Sequence, residues 1–311
     1  MSKLETKHLI GLENISKEDI NSFIDVGFTF REVLERPIKK VPTLQGKNIL
    51  NLFFENSTRT KISFELAEKR LSADVTNFSA SSSSVKKGES LKDTVQNIHT
   101  MKMDCIVMRH PIPGTCIQLQ NYVDSVIVNA GDGTHEHPTQ ALLDLMSIKE
   151  KFGRIEGLNI GILGDILHSR VALSNIYGLV KMGANVKVCG PPHLIQKNIE
   201  ILGIEKTYDV DELIEWADAI NVLRIQRERM GVGIIPSIRE YRDLFGITNE
   251  RLNNHKKDLV IMHPGPMNRG VEIDSEVADG DQAIILDQVL NGVAVRMSVL
   301  YLLLGGGEFE K

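Results

Sequence analysis

Short apolar runs rich in Ile and Val alternate with stretches of helical period along most of the chain. That alternation predicts βαβ units, whose parallel strands are covered by helices on both faces. In the first half the runs fall at residues 48–54, 75–78, 105–108 and 126–128. A helix precedes them, capped by Ser16 with Asp19 three residues on. A helical stretch over 138–152 then leads into a second series at 159–163, 186–188, 219–222 and 259–262. The expected fold class is therefore α/β, with two mainly parallel sheets flanked by helices.

The polar, Gly-flanked stretch 153–157 is the joint between the two series and places a domain boundary beside it. Residues 1–152 are expected to form one domain and 153–280 the other. The last helix, from about 281 to 303, is apolar on more than one face and is expected to pack back across both, so that 281–311 rejoins the first domain. Its most apolar part, 293–304, is interrupted by Arg296 and Ser298 and reads as a buried helix rather than a membrane span. Residues 1–14 mix charges every few positions, so no signal peptide is expected.

Length and composition sharpen this picture. At 311 residues the chain has room for two modest domains, and 42% hydrophobic with 25% charged residues suits a folded globular protein. Lys plus Arg number 36 against 41 Asp plus Glu, a net charge of −5, which argues against broad nucleic-acid or membrane-surface binding. Any anion must be met by a local basic cluster. Cys105, Cys116 and Cys189 make an odd count without a CxxC pair, so neither a disulfide framework nor a zinc knuckle is expected, and a reducing cytoplasm is the simplest location.

The sharpest local signal is the first strand running into Glu55-Asn56-Ser57-Thr58-Arg59-Thr60-Lys61 ahead of a helical stretch. A helix N-terminus offers unpaired N–H groups and a partial positive charge, and here hydroxyls and an arginine join it in one turn. The plain alternative is an ordinary Ser/Thr cap with Arg59 solvated. Four consecutive anion-binding side chains after a buried strand favour a phosphate cradle.

Ser57-Thr58-Arg59-Thr60 resembles the carbamoyl-phosphate motif of the aspartate/ornithine carbamoyltransferase family. Further matches follow in order over about 210 residues: Lys86-Lys87-Gly88-Glu89, Met108-Arg109-His110-Pro111, His137-Pro138-Thr139-Gln140, Gly164-Asp165 with Arg170, Arg224 with Gln226, and His263-Pro264-Gly265-Pro266. Lys61 stands where many relatives carry arginine. The last motif, in place of the His-Cys-Leu-Pro of ornithine enzymes, and the cationic Arg224, Gln226, Arg227, Arg229 region point to the branch that uses a dicarboxylate, aspartate.

The resemblance implies a division of labour. Ser57, Thr58, Arg59 and Thr60 would hold the phosphate, while Thr60, Arg109 and His137 would point at the carbonyl oxygen and Gln140 at the carbamoyl nitrogen. Arg170 and Arg224 would clamp the carboxylates of L-aspartate, with Gln226 and the carbonyls near Pro264 and Gly265 adding polar contacts. Glu55 is a candidate partner for Arg170. Ser83 and Lys87 would reach the site of a neighbouring subunit, which implies a homotrimer with shared active sites. Neither a cofactor nor a metal is expected, and His135-Glu136-His137 supplies too few ligands for a metal centre. Regulatory or pathway-partner chains remain open.

Three other readings compete. Gly161-Ile162-Leu163-Gly164 after a strand suggests a nucleotide site but lacks the third glycine of that motif. An ornithine-type transferase is nearer. A binding or scaffold subunit without activity is disfavoured because every expected catalytic residue is present.

Overall fold

Strands buried along almost their whole length form the centres of two parallel sheets. The computed structural model describes residues 4–79, 90–226, 237–254 and 258–305. It divides into two compact units: residues 1–146 with 290–311, and residues 147–289.

In unit 1, helix α1 (Lys17–Glu35) begins at Ser16, whose side chain accepts from the Asp19 N–H as its sequence spacing predicts. There follow β1 (Asn48–Phe53), α2 (Thr58–Arg70), β2 (Asp74–Ser79), α3 (Leu91–Thr100), β3 (Cys105–His110), α4 (Thr115–Leu119), β4 (Val126–Asp132) and α5 (Pro138–Phe152). All pairings are parallel and the strand order is β2-β1-β3-β4. Leu50, Leu52, Ile106, Met108 and Ile127 pack with Val95, Cys116 and Leu119 to cover one face.

Unit 2 carries β5 (Asn159–Leu163), α6 (Arg170–Lys181), β6 (Asn185–Cys189), β7 (Glu205–Thr207), α7 (Val210–Trp216), β8 (Ala219–Val222), α8 (Ile238–Phe245), α9 (Asn249–Asn253), β9 (Val260–Met262) and α10 (Ser275–Ala278). Its sheet is again parallel, in the order β7-β6-β5-β8-β9. The α/β expectation holds in both units, with one strand more than the apolar pattern indicates: Glu205-Lys206-Thr207 lacks any hydrophobic residue and pairs along the outer edge of β6. An edge strand with a solvated side needs no apolar run.

The final helix, α11 (Ile285–Leu304), is long and apolar enough to cross a membrane by length and composition, but most of it is buried inside the protein. Its residues to Val289 belong to unit 2 and those from Leu290 to unit 1. In unit 2, Gln288 accepts from the His263 backbone N–H at 2.9 Å. In unit 1, the Ser298 hydroxyl donates to the Phe23 carbonyl at 2.7 Å, and Tyr301 meets Phe30 edge-on at 5.5 Å between ring centres.

Each strand order reverses once. In unit 1 the reversal lies between β1 and β3, and in unit 2 between β5 and β8. Crevices beyond the carboxyl ends of strands at such switch points are where open α/β sheets bind ligands.

Candidate active site

At the unit 1 switch point, Phe53 of β1 lies beside Arg109 of β3 in register, and the Phe54 N–H donates to the Arg109 carbonyl at 2.8 Å. The chain leaving β1 turns within four residues, 54–57, and enters α2. Ser57 is its N-cap residue in extended conformation but makes no side-chain cap bond. Ser16, Ser90, Ser169 and Ser237, the other serine N-caps, each accept from the backbone N–H three residues on. The Ser57 hydroxyl thus does not serve as an ordinary N-cap. Thr58 and Arg59 are exposed in the first turn of α2, and Thr60 is buried.

Arg109 is held on two sides. One guanidinium nitrogen donates to the Ala130 carbonyl at 3.0 Å and the other terminal nitrogen to Glu55 at 2.8 Å. Glu55 therefore has a tie to Arg109 that sequence reasoning missed, and the two residues are brought together by the adjacent ends of β1 and β3. A charge-assisted pair, largely shielded from solvent, fixes the arginine fork far better than a surface arginine would be fixed.

His137 and Gln140 are buried at the start of α5, which follows β4. The neighbouring His135 and Glu136 are engaged elsewhere: His135 Nδ1 lies 3.1 Å from Asp132, which raises its pKa, and Glu136 accepts from the Leu12 and Glu13 N–H groups. The three residues thus do not converge, and among the described residues no group of three or more His, Cys, Asp or Glu is arranged around a common metal position. Two buried partners escaped the sequence analysis. Asp144, one turn beyond Gln140, accepts from its Nε2 at 3.1 Å. Arg296 of α11 donates to Ser63 Oγ at 3.0 Å and lies over the Phe64 ring at 5.0 Å, bracing α2. The i, i+4 spacing of Gln140 and Asp144 is a signal that sequence alone offered; nothing local to Arg296 announces its partners.

α2 has a second anchor. Fully buried Glu68 accepts from Asn51 Nδ2 at 2.8 Å, and burial pushes its carboxyl up to about 8. That shift favours its protonated form at neutral pH.

At the unit 2 switch point, Leu163 of β5 pairs with Val222 of β8. Gly164 follows with φ +128°, and a Cβ there would stand 3.1 Å from the Leu223 carbonyl, so the position suits glycine. Asp165, fully buried, accepts from both the backbone N–H and Nδ1 of His168 and from the Gln226 backbone. Burial raises its pKa and these donors pull it back. Arg170 opens α6 and is 4% exposed; Arg224 and Gln226, half-buried, follow β8. After β9, the His263-Pro264-Gly265-Pro266 turn is closed by the Gly265 N–H donating to His263 Nδ1 at 2.8 Å, with Gly265 at φ +62°. Arg170, Arg224 and Gln226 thus gather at the carboxyl ends of β5 and β8, with Pro264 and Gly265 beyond neighbouring β9. Ser83, Lys87, Arg227 and Arg229 lie outside the described residues.

The decisive comparison is with family models. Residues 7–150 match the carbamoyl-phosphate-binding domain of aspartate/ornithine carbamoyltransferase, and residues 156–303 its Asp/Orn-binding domain. The chain belongs to this family. Among its relatives, the aspartate carbamoyltransferase catalytic subunit of Christiangramia forsetii is 60% identical over 302 residues, 97% of each chain. That of Cytophaga hutchinsonii is 58% identical over 98% of this chain and 99% of the relative. Aspartate transcarbamoylase from Trypanosoma cruzi, solved in complex with carbamoyl phosphate and aspartate, superposes with a TM-score of 0.87 at 29% identity, covering 96% and 95% of the two chains. The M. jannaschii catalytic subunit gives 0.83 at 38% identity, covering 97% and 100%. The nucleotide-site reading of Gly161 to Gly164 gives way to family membership.

Proposed function

We propose that the protein transfers the carbamoyl group of carbamoyl phosphate to the amine of L-aspartate, yielding N-carbamoyl-L-aspartate and phosphate for pyrimidine biosynthesis. The observation that carries the residue assignment is the unit 1 switch point. There an uncommitted Ser57 hydroxyl, the α2 N-terminus and a braced Arg109 meet at the end of one sheet.

The chemistry needs an uncharged amine to attack the carbonyl carbon, donors for the oxyanion that forms, and a stabilised phosphate leaving group. A C–N bond forms, the bond between the carbonyl carbon and the phosphate oxygen breaks, and the proton lost by the amine leaves with the phosphate. No protein nucleophile is required. Ser57, Thr58, Arg59 and Thr60 bind the phosphate; Thr60, Arg109 and His137 donate to the carbonyl oxygen; Gln140 contacts the carbamoyl nitrogen. In unit 2, Arg170 and Arg224 pair with the aspartate carboxylates, supported by Gln226 and the Pro264 and Gly265 carbonyls. Asp165 supports this reading by holding the Gln226 backbone just beyond Arg224.

The assembly that suits this reading is a cytoplasmic homotrimer in which Ser83 and Lys87 complete a neighbour's phosphate site. Purified protein, treated with chelator and given carbamoyl phosphate, is expected to form carbamoyl-aspartate and phosphate; turnover with ornithine but not aspartate would overturn the assignment. Mixing Arg59→Ala and Lys87→Ala proteins by unfolding and reassembly tests the shared site. Activity above either parent is expected, and mixed trimers confirmed by mass that remain inactive would refute it.

A further inference from the structure

An amide side chain can present an oxygen, which accepts, or an NH2 group, which donates, and the two ends have nearly the same shape. For Gln140 the choice decides what the site recognises, and the α5 helix makes that choice. Its Nε2 donates to Oδ1 of Asp144 at 3.1 Å, one helical turn on and fully buried. A carboxylate accepts hydrogen bonds only, so the nitrogen must face Asp144 and Oε1 is turned the other way.

We propose that Asp144 is a positioning residue that fixes the sense of the Gln140 amide, so that Oε1 is offered as an acceptor to the NH2 of carbamoyl phosphate. This deepens the function proposed above and rests on the Gln140 contact in it. The surroundings suit a carboxylate at this place. The Arg296 guanidinium is fully buried, donates to Ser63 Oγ and to the Gly292 carbonyl at 2.8 Å, and feels the charges of Asp144 and Arg109 in opposite senses. Asp144 thus has a buried cation for a neighbour as well as the amide it orients.

A locked acceptor makes a specificity device. Acetyl phosphate has the shape of carbamoyl phosphate with CH3 in place of NH2, and facing it Oε1 is left buried and unsatisfied. A Gln140 amide released from Asp144 rotates, and the difference between the two ligands shrinks.

The test compares the dissociation constants of carbamoyl phosphate and acetyl phosphate, measured calorimetrically, for the wild-type protein, Gln140→Ala, Asp144→Ala and the double variant. The wild type is expected to prefer carbamoyl phosphate, and Asp144→Ala to cut that preference about tenfold, the scale of one lost hydrogen bond. Gln140→Ala should cut it as much, and the double variant no further, because both act on one contact. Asp144→Ala that weakens both phosphates equally, or whose loss adds to that of Gln140→Ala, would overturn the proposal. If Gln140→Ala abolishes the preference and Asp144→Ala leaves it whole, only the positioning role fails. A wild-type protein without preference would remove the Gln140 contact itself. Should Asp144→Ala not fold, Asp144→Asn decides: its amide holds Gln140 in either sense, so a drop of about threefold or more is expected, and an unchanged preference overturns the proposal.

Discussion

The two switch points share a topology and differ in how they use it. In unit 1 the chain passes from β1 to α2 in four residues, so the phosphate-binding candidates are consecutive in sequence and the helix terminus itself is one of them. In unit 2 the candidates come from three separate stretches: 164–170 after β5, 224–226 after β8, and 263–266 after β9. A buried carboxylate, Asp165, ties the first two together through backbone and imidazole donors. The difference follows from the ligands proposed for them. A phosphate is compact and can be cradled by one turn of backbone, whereas an amino acid with two carboxylates and an amine needs donors and acceptors set wide apart.

The largest expected effect falls on unit 1. Arg109→Ala should lower kcat by roughly a hundredfold or more, the usual loss for one oxyanion donor, and it strands the Glu55 carboxylate as well. A steady-state assay saturated with both substrates checks this, and wild-type turnover would take Arg109 out of the chemistry. Arg224→Ala is the counterpart in unit 2. It should raise KM for aspartate by about tenfold or more while leaving KM for carbamoyl phosphate nearly unchanged. Parallel changes in both constants would erase the division of labour between the units.

The buried carboxylates offer the next contrast. Asp165 accepts from several donors, whereas Glu68 accepts from the Asn51 amide and is pushed from 4.5 up to about 8. Between those two values the native state keeps a proton that the unfolded chain has lost, so Glu68 costs stability increasingly as pH rises from about 4.5 to 8, and no more beyond. Nearby Glu65 and Lys69 on α2 oppose each other in this shift. Glu68→Gln should remove that slope and raise the melting temperature at pH 8 more than at pH 5, by an amount worth roughly 1 kcal/mol or more. Equal gains at both pH values would mean that Glu68 is ionised throughout.

The smallest expected effect compares two serines. Ser169 caps α6 through the Ala172 N–H at 3.2 Å, so Ser169→Ala should cost about 1 kcal/mol of stability. Ser57 performs no such service, so Ser57→Ala should leave the melt nearly unchanged and weaken carbamoyl phosphate binding. A melting loss as large as that of Ser169→Ala would return Ser57 to an ordinary cap.

Most of the strands were legible because their apolar runs are long compared with the polar joints between them. All eight expected runs start within one residue of the observed strand. The edge strand β7 was not legible, since Glu205, Lys206 and Thr207 carry no burial signal. The proposed anion cradle rests on contiguous side-chain types, which a sequence displays directly. The ties between Glu55 and Arg109, between Arg296 and Ser63, and between Asp165 and the Gln226 backbone span 54, 233 and 61 positions of the chain. Sheet order creates the first and third and α11 the second, and no local pattern encodes them.

The route of the chain through the two units has a consequence for synthesis on the ribosome. Unit 2 is one uninterrupted segment, 147–289, whereas unit 1 is left open at Met146 and regained only at Leu290. The late portion is core material: Ala294, Val295, Met297, Val299 and Leu300 are all fully buried. As translation proceeds from the N-terminus, a nascent chain holds the whole sequence of unit 2 before the earlier-made unit 1 can close over its own interior. The segment made first is thus the last to be sealed, and until then its apolar helices depend on the final turns of α11 that are still inside the exit tunnel.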